Sequence, residues 1–121
     1  MNLRRWSPAL AWAGVILLLT SVPGQAVPNV GIPYLDKVVH LAMYGVLGAL
    51  LARAAADAPS PARLSLLLFG AVAMFAAADE WHQRFIPDRS QDRYDWLADM
   101  VGAGAALTFE GAARLRRTSL S

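Results

Sequence analysis

The segment from Asp79 to Asp99 carries most of the side chains that could do chemistry in this chain. Carboxylates stand there beside histidine, glutamine and arginine, while the segments on either side consist mostly of Ala, Leu, Val and Gly. Its polar members include Asp79, Glu80, His82, Gln83, Arg84, Asp88, Arg89, Asp92, Arg93, Asp95 and Asp99. Because ionisable groups next to apolar runs are unfavourable unless they are paired or hydrated, this concentration indicates a binding or catalytic site.

Helical spacing predicts which polar side chains share a face. Asp36, His40 and Tyr44 recur every four residues, so they lie on one face of the helix that contains them. The same argument groups polar residues on two further helices, namely Asp79, Glu80 and Gln83 on one, and Asp95 and Asp99 on the other. We expect these faces to converge on one polar pocket, covered by the 85–91 loop, with Arg89 reaching into it.

Several chemistries fit these residue types. His40 beside Asp36 could be a general base oriented by a carboxylate or a metal ligand; the alternative is a buried histidine bonded to a neighbouring helix, with Asp36 capping its own helix. Asp79 and Glu80 are consecutive, hence about 100° apart on a helix, so they cannot face one point equally. We favour Glu80 with Gln83 as the working group and expect the other carboxylate to pair with an arginine, either Arg84 or Arg89.

The remaining polar groups also have two interpretations each. A histidine among carboxylates suits a hard divalent cation, or acid–base work on a phosphate or an amide. Arg84 and Arg89 could bind a phosphate or carboxylate by paired hydrogen bonds, or could simply compensate neighbouring acids. Asp95 could line the pocket or close a capping box with Asp92. We predict a catalytic group of His40, Glu80 and Asp36, and a substrate-binding group of Arg89, Gln83, Asp79, Asp95, Tyr44 and Asp99.

Composition limits the class of protein. The 121 residues suffice for one domain, and 56% hydrophobic residues with 17% charged residues favour a membrane protein. The absence of cysteine excludes disulfides, thiolate metal sites and a cysteine nucleophile. The basic residues lie at the ends of apolar runs rather than in a stripe with aromatic residues, so no nucleic-acid partner is expected.

Four helices of about 20 residues must position these groups, and about 20 residues suffice to cross a hydrocarbon core roughly 30 Å thick. Ser7 before Pro8 predicts the start of the first, Ser60 before Pro61 the start of the third, and Asp92 the start of the fourth. The predicted spans are 3–21, 36–56, 61–84 and 93–113, followed by a fraying tail at 114–121. The predicted fold is an all-α, integral membrane four-helix bundle that forms a single domain over residues 1–121.

Two further sequence features bear on this architecture. Small residues offer close helix contacts at Gly45 and Ala49, and in a second ridge at Ala98, Gly102 and Ala106. The alternative for the first apolar segment is a secretory signal peptide, cleaved near the sequence Gly24, Gln25 and Ala26.

The distribution of basic residues predicts the orientation. Four spans place both termini on one side, and the positive-inside rule assigns the side richer in Lys and Arg to the cytoplasm. The side with the termini holds Arg4, Arg5, Arg53, Arg63, Arg114, Arg116 and Arg117, opposed only by Asp57 and Glu110. We therefore expect cytoplasmic N- and C-termini and a polar pocket that opens on the extracytoplasmic side.

The combined motif resembles the VanZ-like family of small membrane proteins. That family's pattern is an Asp and a His on one transmembrane helix, then D-E-x-x-Q-x-F-x-P-x-R, then D-x-x-x-N-x-x-G. This chain matches it over roughly residues 36 to 104, with Asp99 where the pattern more often has Asn. The resemblance implies a multi-pass protein of the bacterial inner or plasma membrane, in a family whose founding member is linked to resistance to the glycopeptide teicoplanin. It does not imply a reaction.

Three hypotheses of function follow. The first is a protein of the cell envelope that binds or processes a lipid-linked or peptidoglycan-related molecule in the polar pocket, with a role in glycopeptide tolerance implied by the resemblance. The second is a membrane-embedded hydrolase or transferase that uses His40 and Glu80 as acid and base, or holds a divalent metal between them. The third is a structural or assembly subunit, whose polar groups only lock the helices together. The lipid bilayer is the expected surrounding in all three.

Overall fold

Four α-helices account for most of the chain. The computed structural model describes residues 2–24, 30–89 and 92–121, and within these ranges there is no β-strand. The helices are α1 (Leu3–Thr20), α2 (Leu35–Ala54), α3 (Pro61–Gln83) and α4 (Arg93–Ser119). The all-α class is therefore confirmed, and the first three helices end within two residues of their predicted limits. Part of the alternative cleavage site, at residues 25 and 26, lies outside the described residues.

The first helix begins at Leu3, as the predicted span does, and not at the Ser7 and Pro8 pair. Its N-cap is Asn2, whose side-chain oxygen accepts the N–H of Arg4 at 3.1 Å. Pro8 has no N–H and leaves the carbonyl of Arg4 without its usual helical donor. The hydroxyl of Ser7 donates to that carbonyl at 3.1 Å, so the serine side chain supplies the hydrogen bond that Pro8 cannot make.

The other predicted helix starts are correct. Ser60 is the N-cap of α3 and Pro61 its first residue. Asp92 caps α4 by accepting the N–H of Tyr94 at 2.8 Å. The prediction of a fraying tail is wrong, because α4 continues to Ser119. The guanidinium of Arg114 donates to the carbonyl of Ala52 and so ties the end of α4 to the end of α2.

The pair of helices α2 and α4 forms the centre of the fold, and small residues allow their backbones to approach closely. A Cβ added at Gly102 would collide with the carbonyl oxygen of Leu41, and one at Gly48 would lie 2.7 Å from the carbonyl oxygen of Ala103. Gly45 faces Gly102 in the same interface. The two predicted ridges therefore meet, although Gly48 rather than Ala49 makes the closest approach.

The outer helices are attached to this pair by tryptophan hydrogen bonds as well as by packing. Helix α1 lies against α2, where the indole N–H of Trp12 donates to the carbonyl of Met43 at 2.8 Å. Helix α3 lies against α4, where Trp96 donates to the carbonyl of Ala73 at 3.1 Å. In both bonds the indole donates to a main-chain carbonyl of the neighbouring helix. Each bond therefore fixes the position of an outer helix along the axis of the central pair.

Apolar side chains cover much of the outer surface. Leu18, Leu66 and Met74 each expose more than two-thirds of their area, and the buried side chains include seven polar or charged ones. Helices α2 and α3 are long and apolar enough to cross a membrane, and only 11% of the most apolar part of α3 is buried. A core helix of a soluble protein would be mostly buried. Two candidate membrane spans are thus present in the described part of the chain.

The helices alternate in direction, so the chain has two ends of different character. Arg5 forms an ion pair with Asp57 of the α2–α3 turn, which brings the N-terminus beside that turn. At the opposite end, the N–H of Gly24 donates to the carbonyl of Pro87 at 2.9 Å and joins the segments after α1 and α3. The sequence-predicted polar residues lie at this second end.

We expect Gly102→Ala to weaken the fold. Its methyl group would push α4 away from the backbone of α2, so the free energy of unfolding should fall by about 1–3 kcal/mol. The measurement is thermal unfolding in detergent, followed by circular dichroism. The matched control is Gly70→Ala on α3, where a Cβ meets nothing within 4 Å and stability should rise by up to about 1 kcal/mol. Equal melting curves for the two variants would contradict this packing.

Candidate functional site

His40 of α2 is buried and bonded to α4. Its Nδ1 lies 2.7 Å from Oδ1 of Asp99, which is itself fully buried. Its other ring nitrogen, Nε2, lies 3.8 Å from Oδ2 of Asp95, one turn earlier on α4. The close contact of α2 and α4 at Gly102 lies next to this pair, since Asp99 is three residues before Gly102 and Leu41 follows His40. The imidazole is therefore held between two carboxylates of the neighbouring helix.

Asp79 and Glu80 of α3 are both buried but point in different directions, as consecutive helical residues must. Asp79 faces α1 and α2, where its oxygens lie 2.7 Å from the hydroxyl of Thr20 and 3.5 Å from that of Tyr44. Glu80 faces α4, where it accepts the N–H of Asp92 at 3.1 Å. The two carboxylates are therefore parts of one polar region with separate partners.

Lys37 is the cation in contact with this region. Its ammonium group lies 2.6 Å from Asp92, 2.6 Å from Asp95 and 2.7 Å from Asp36, and its side chain is 24% exposed. The hydrogen bond from Lys37 is the main reason that the pKa of Asp92 is held below its usual range, with help from the N–H of Tyr94. Lys37 thus joins the first turn of α2 to the first turn of α4.

We call the group of His40, Asp79, Glu80, Asp95 and Asp99 the acidic cluster. All five side chains are buried, and Lys37 reaches only Asp95 among them. The oxygen Oδ2 of Asp99 is buried and has no hydrogen-bond partner in the described structure. Buried like charges repel one another strongly unless protons or a cation neutralise them. The acidic cluster therefore holds more potential negative charge than the nearby basic groups can balance.

A groove between α3 and α4 leads to this cluster. It has a volume of about 430 Å³ and is lined by Ala77, Glu80, Arg93 and Trp96. Glu80 belongs to both the groove and the acidic cluster, so it connects the surface with the buried groups. Arg93 supplies a positive charge and Trp96 an aromatic face on the α4 side. The groove can therefore offer an anionic and a cationic group to one ligand.

Two sets of side chains have the spacing of metal ligands. One ligand atom from each of His40, Glu80 and Asp95 lies within 4.8 Å of the others, and all three residues are buried. Asp36, Asp92 and Asp95 form a second set by the same criterion, but the ammonium group of Lys37 already bonds to all three. In the first set Lys37 bonds only to Asp95, so His40 and Glu80 are not already in contact with its ammonium group.

Comparison with known proteins identifies the family of this chain. The family model described as VanZ/LLP1 matches residues 4–110. The chain belongs to the VanZ/LLP1 family. The match extends well beyond residues 36–104, on which the sequence resemblance was based, and includes α1. Searches of curated proteins and of solved structures found no match.

Most of the predicted site residues of this VanZ/LLP1 protein come together in the structure. His40, Tyr44, Asp79, Glu80, Gln83, Asp95 and Asp99 are all buried at the same end of the helices. Gln83 lies 3.4 Å from Glu80, as the helical spacing predicts. The carboxylate that bonds to His40 is Asp99, however, and not Asp36, whose side chain is 59% exposed and bonds to Lys37. Asp95 likewise bonds to Lys37 instead of closing a capping box with Asp92.

The two predicted arginines lie elsewhere. Arg89 donates from Nε to the carbonyl of Val22 at 2.8 Å, so it ties the loop to the end of α1 rather than reaching into the cluster. Arg84 lies over the ring of Phe85, 5.8 Å from its centre. The expectation that one of them pairs with Asp79 or Glu80 is wrong within the described residues, because the partners of those carboxylates are hydroxyl, amide and main-chain groups.

Sequence reasoning missed three contributors to the VanZ/LLP1 site. No site role is predicted from the sequence for Lys37, Thr20 or Arg93. Two sequence signals could have identified Lys37 and Thr20. The lysine lies one turn before a buried histidine, and the threonine ends an apolar helix at the level of the carboxylates. Nothing in the sequence indicates that Arg93 lines a groove.

We expect Lys37→Met to destabilise the fold by about 1–3 kcal/mol. Asp95 would lose its ion pair with Lys37, while the neighbouring carboxylates of the acidic cluster would still repel it. Lys37→Arg keeps the charge and should recover part of that loss. The free energy of unfolding in detergent measures both effects. Arg63→Met is the control, since Arg63 is exposed at the other end of the helices. A Lys37→Met protein as stable as Arg63→Met would show that Lys37 does not hold α2 and α4 together.

Proposed function

We propose that this protein is a multi-pass protein of the bacterial inner membrane that binds a lipid-linked envelope molecule at the groove and acidic cluster. VanZ/LLP1 membership and two apolar helices support a membrane protein connected with glycopeptide resistance. The four helices then form a single bundle in which α1 and α4 also cross the bilayer. The 27 residues of α4 give it a length of about 40 Å, which exceeds the hydrocarbon core.

The orientation follows from the charges at the two ends. With both termini in the cytoplasm, the ion pair of Arg5 with Asp57 and the basic end of α4 lie on the inner side. The acidic cluster then lies near the extracytoplasmic surface, where lipid-linked cell-wall precursors are used. Charged groups near a bilayer surface cost less than at its centre when they are paired or hydrated.

The groove is the observation that carries the proposal for a lipid-linked ligand. It opens between α3 and α4 on a largely apolar surface, so a ligand anchored in the bilayer could enter from the side. Arg93 suits a phosphate, since a guanidinium can bind two oxygens at once. Trp96 suits the ring of a sugar or the start of a lipid chain, and Glu80 suits hydroxyl or ammonium groups. Glycopeptide tolerance would follow if the bound molecule were a target of these antibiotics.

A membrane-embedded hydrolase or transferase is a second candidate, favoured by the hydrogen bond between His40 and Asp99. A carboxylate on one ring nitrogen orients the imidazole and stabilises its protonated form, which suits a general base. Asp99→Asn separates the two functions. In an enzyme it should reduce turnover sharply while the substrate still binds, whereas in a binding protein there is no turnover to lose.

The orientation can be tested by cysteine labelling, because the chain contains no cysteine. Tyr34→Cys lies at the cluster end, and Ser121→Cys lies at the C-terminus; both positions are exposed. In intact cells, a maleimide that cannot cross membranes should label position 34 and leave position 121 unlabelled until the membrane is opened. Labelling of position 121 alone would reverse the proposed orientation.

Ligand binding can be tested by native mass spectrometry of protein gently purified from membranes. The wild-type protein should retain a lipid-linked molecule, and Arg93→Gln should retain it about tenfold more weakly, since a hydrogen bond to a charged group contributes about 1.5–3 kcal/mol. Arg116→Gln, at the opposite end of α4, should behave as wild type. Equal retention by both variants would exclude the groove, and a wild-type protein that repeatedly carries no such molecule would exclude the proposed ligand.

A further inference from the structure

We propose that His40, Glu80 and Asp95 bind one divalent transition-metal cation at the inner end of the groove. The three side chains come from three different helices, α2, α3 and α4. One ligand atom of each lies within 4.8 Å of the other two. A cation bonded to all three would therefore need only small side-chain movements, and it would join the three helices at one point.

Each of the three ligands is already held by an outer partner. Nδ1 of His40 lies 2.7 Å from Oδ1 of Asp99, which can accept its N–H, so the other ring nitrogen, Nε2, is the one free to bind a metal. Lys37 bonds to Oδ1 of Asp95, whose Oδ2 is the oxygen nearer to His40. Metal-binding histidines and carboxylates in proteins are commonly oriented in this way by a second layer of hydrogen bonds. The imidazole of His40 has the carboxylate–histidine arrangement typical of such sites.

Glu80 is oriented by two further groups. The main-chain N–H of Asp92 donates to its Oε2 at 3.1 Å, and Gln83 lies 3.4 Å from its Oε1. Both partners leave the carboxylate with lone pairs for another bond. Because Glu80 also lines the groove, a metal beside it would be accessible from the surface.

The charge in the acidic cluster independently points to a cation. Lys37 contacts only Asp95 within the cluster and His40 bonds to Asp99, which leaves Asp79 and Glu80 without an ion pair among the described residues. Oδ2 of Asp99 has no partner at all among the described residues, although Asp99 is 0% exposed. A divalent cation close to these groups would neutralise charge that no side chain balances.

The ligand set decides which cation is expected. One imidazole nitrogen with carboxylate oxygens suits Zn²⁺ or Mn²⁺ better than Mg²⁺ or Ca²⁺, which prefer oxygen alone. Three protein ligands leave at least one position for water or for an oxygen of a ligand. If the proposed function is also correct, that position would take a phosphate oxygen of the lipid-linked molecule, with Arg93 on the other side of the groove.

The test is isothermal titration calorimetry of Zn²⁺ into the metal-stripped, detergent-purified full chain, with Mg²⁺ as comparison. Wild-type protein should bind one Zn²⁺ per chain and bind Mg²⁺ far more weakly. His40→Gln and Glu80→Gln should lose measurable Zn²⁺ binding. Asp99→Asn should bind about tenfold to a hundredfold more weakly, as expected for a group that orients a ligand. Asp57→Asn, which alters a carboxylate at the opposite end of the helices, should change the affinity little.

Several results would overturn the site. These are no saturable Zn²⁺ binding by the wild type, unchanged binding by Glu80→Gln, or loss of binding by Asp57→Asn. Should His40→Gln and Glu80→Gln fail to fold, as judged by circular dichroism, the visible spectrum of Co²⁺ added to wild-type protein decides instead. One bound Co²⁺ per chain with a shifted spectrum supports the site, whereas the spectrum of hydrated Co²⁺ overturns it.

Failure of this inference can be distinguished from failure of the proposed function. Native mass spectrometry of the same preparation reports the lipid-linked molecule without reference to metal. Zn²⁺ binding without a retained lipid-linked molecule would remove the proposed function and keep the metal site. Retention of that molecule without Zn²⁺ binding would remove the metal site and keep the proposed function.

Discussion

The close approach of α2 and α4 is the constraint on which the rest of the structure depends. It requires glycine at position 102, where a Cβ would collide with the backbone beside His40. That approach brings His40 against Asp99 at 2.7 Å and Lys37 against Asp95 at 2.6 Å. With the central pair in place, α3 and α1 complete the region by adding Glu80 and Thr20 from either side. Small residues in the interface and polar residues one turn away are thus parts of one arrangement.

The energetics of this arrangement favour a role beyond structure. A buried ion pair often stabilises a fold no better than well-packed apolar residues would, and a buried carboxylate without a partner is costly. Here four buried carboxylates lie in one cluster with a single histidine, while apolar side chains such as Leu66 and Met74 remain exposed on the outside. Apolar residues outside and ionisable residues inside are expected when the surroundings are lipid.

Asp99 illustrates how charge and hydrogen bonding combine in this cluster. The family pattern more often has Asn at this position, and an amide there could bond to His40 without adding charge. In this chain the carboxylate bonds to His40 through one oxygen and leaves the other without a partner. A carboxylate at this position places a negative charge beside the imidazole that an amide would not. The hydrolase candidate and the metal site both use this hydrogen bond, although they assign it different chemistry.

Sequence patterns predicted the helices well because apolar runs, proline and capping residues act locally. They also predicted that His40, Glu80 and Asp99 belong together, since each recurs at helical spacing on the polar face of its own helix. Spacing within one helix does not reveal partners on another, which is why Asp36 was predicted beside His40 and Asp99 was found there. Arg89 illustrates the same limit, because its main-chain partner on Val22 has no side-chain signature.

Convergence of the polar groups from different helices is the central claim, and cross-linking between positions 40 and 80 tests it most directly. Cysteines placed at His40 and Glu80 in this cysteine-free chain should be joined by a short thiol-reactive cross-linker in native membranes. A pair at Val38 and Glu80 should not, because Val38 is exposed on another face of α2. Linkage of the 38–80 pair in preference to the 40–80 pair would contradict the account.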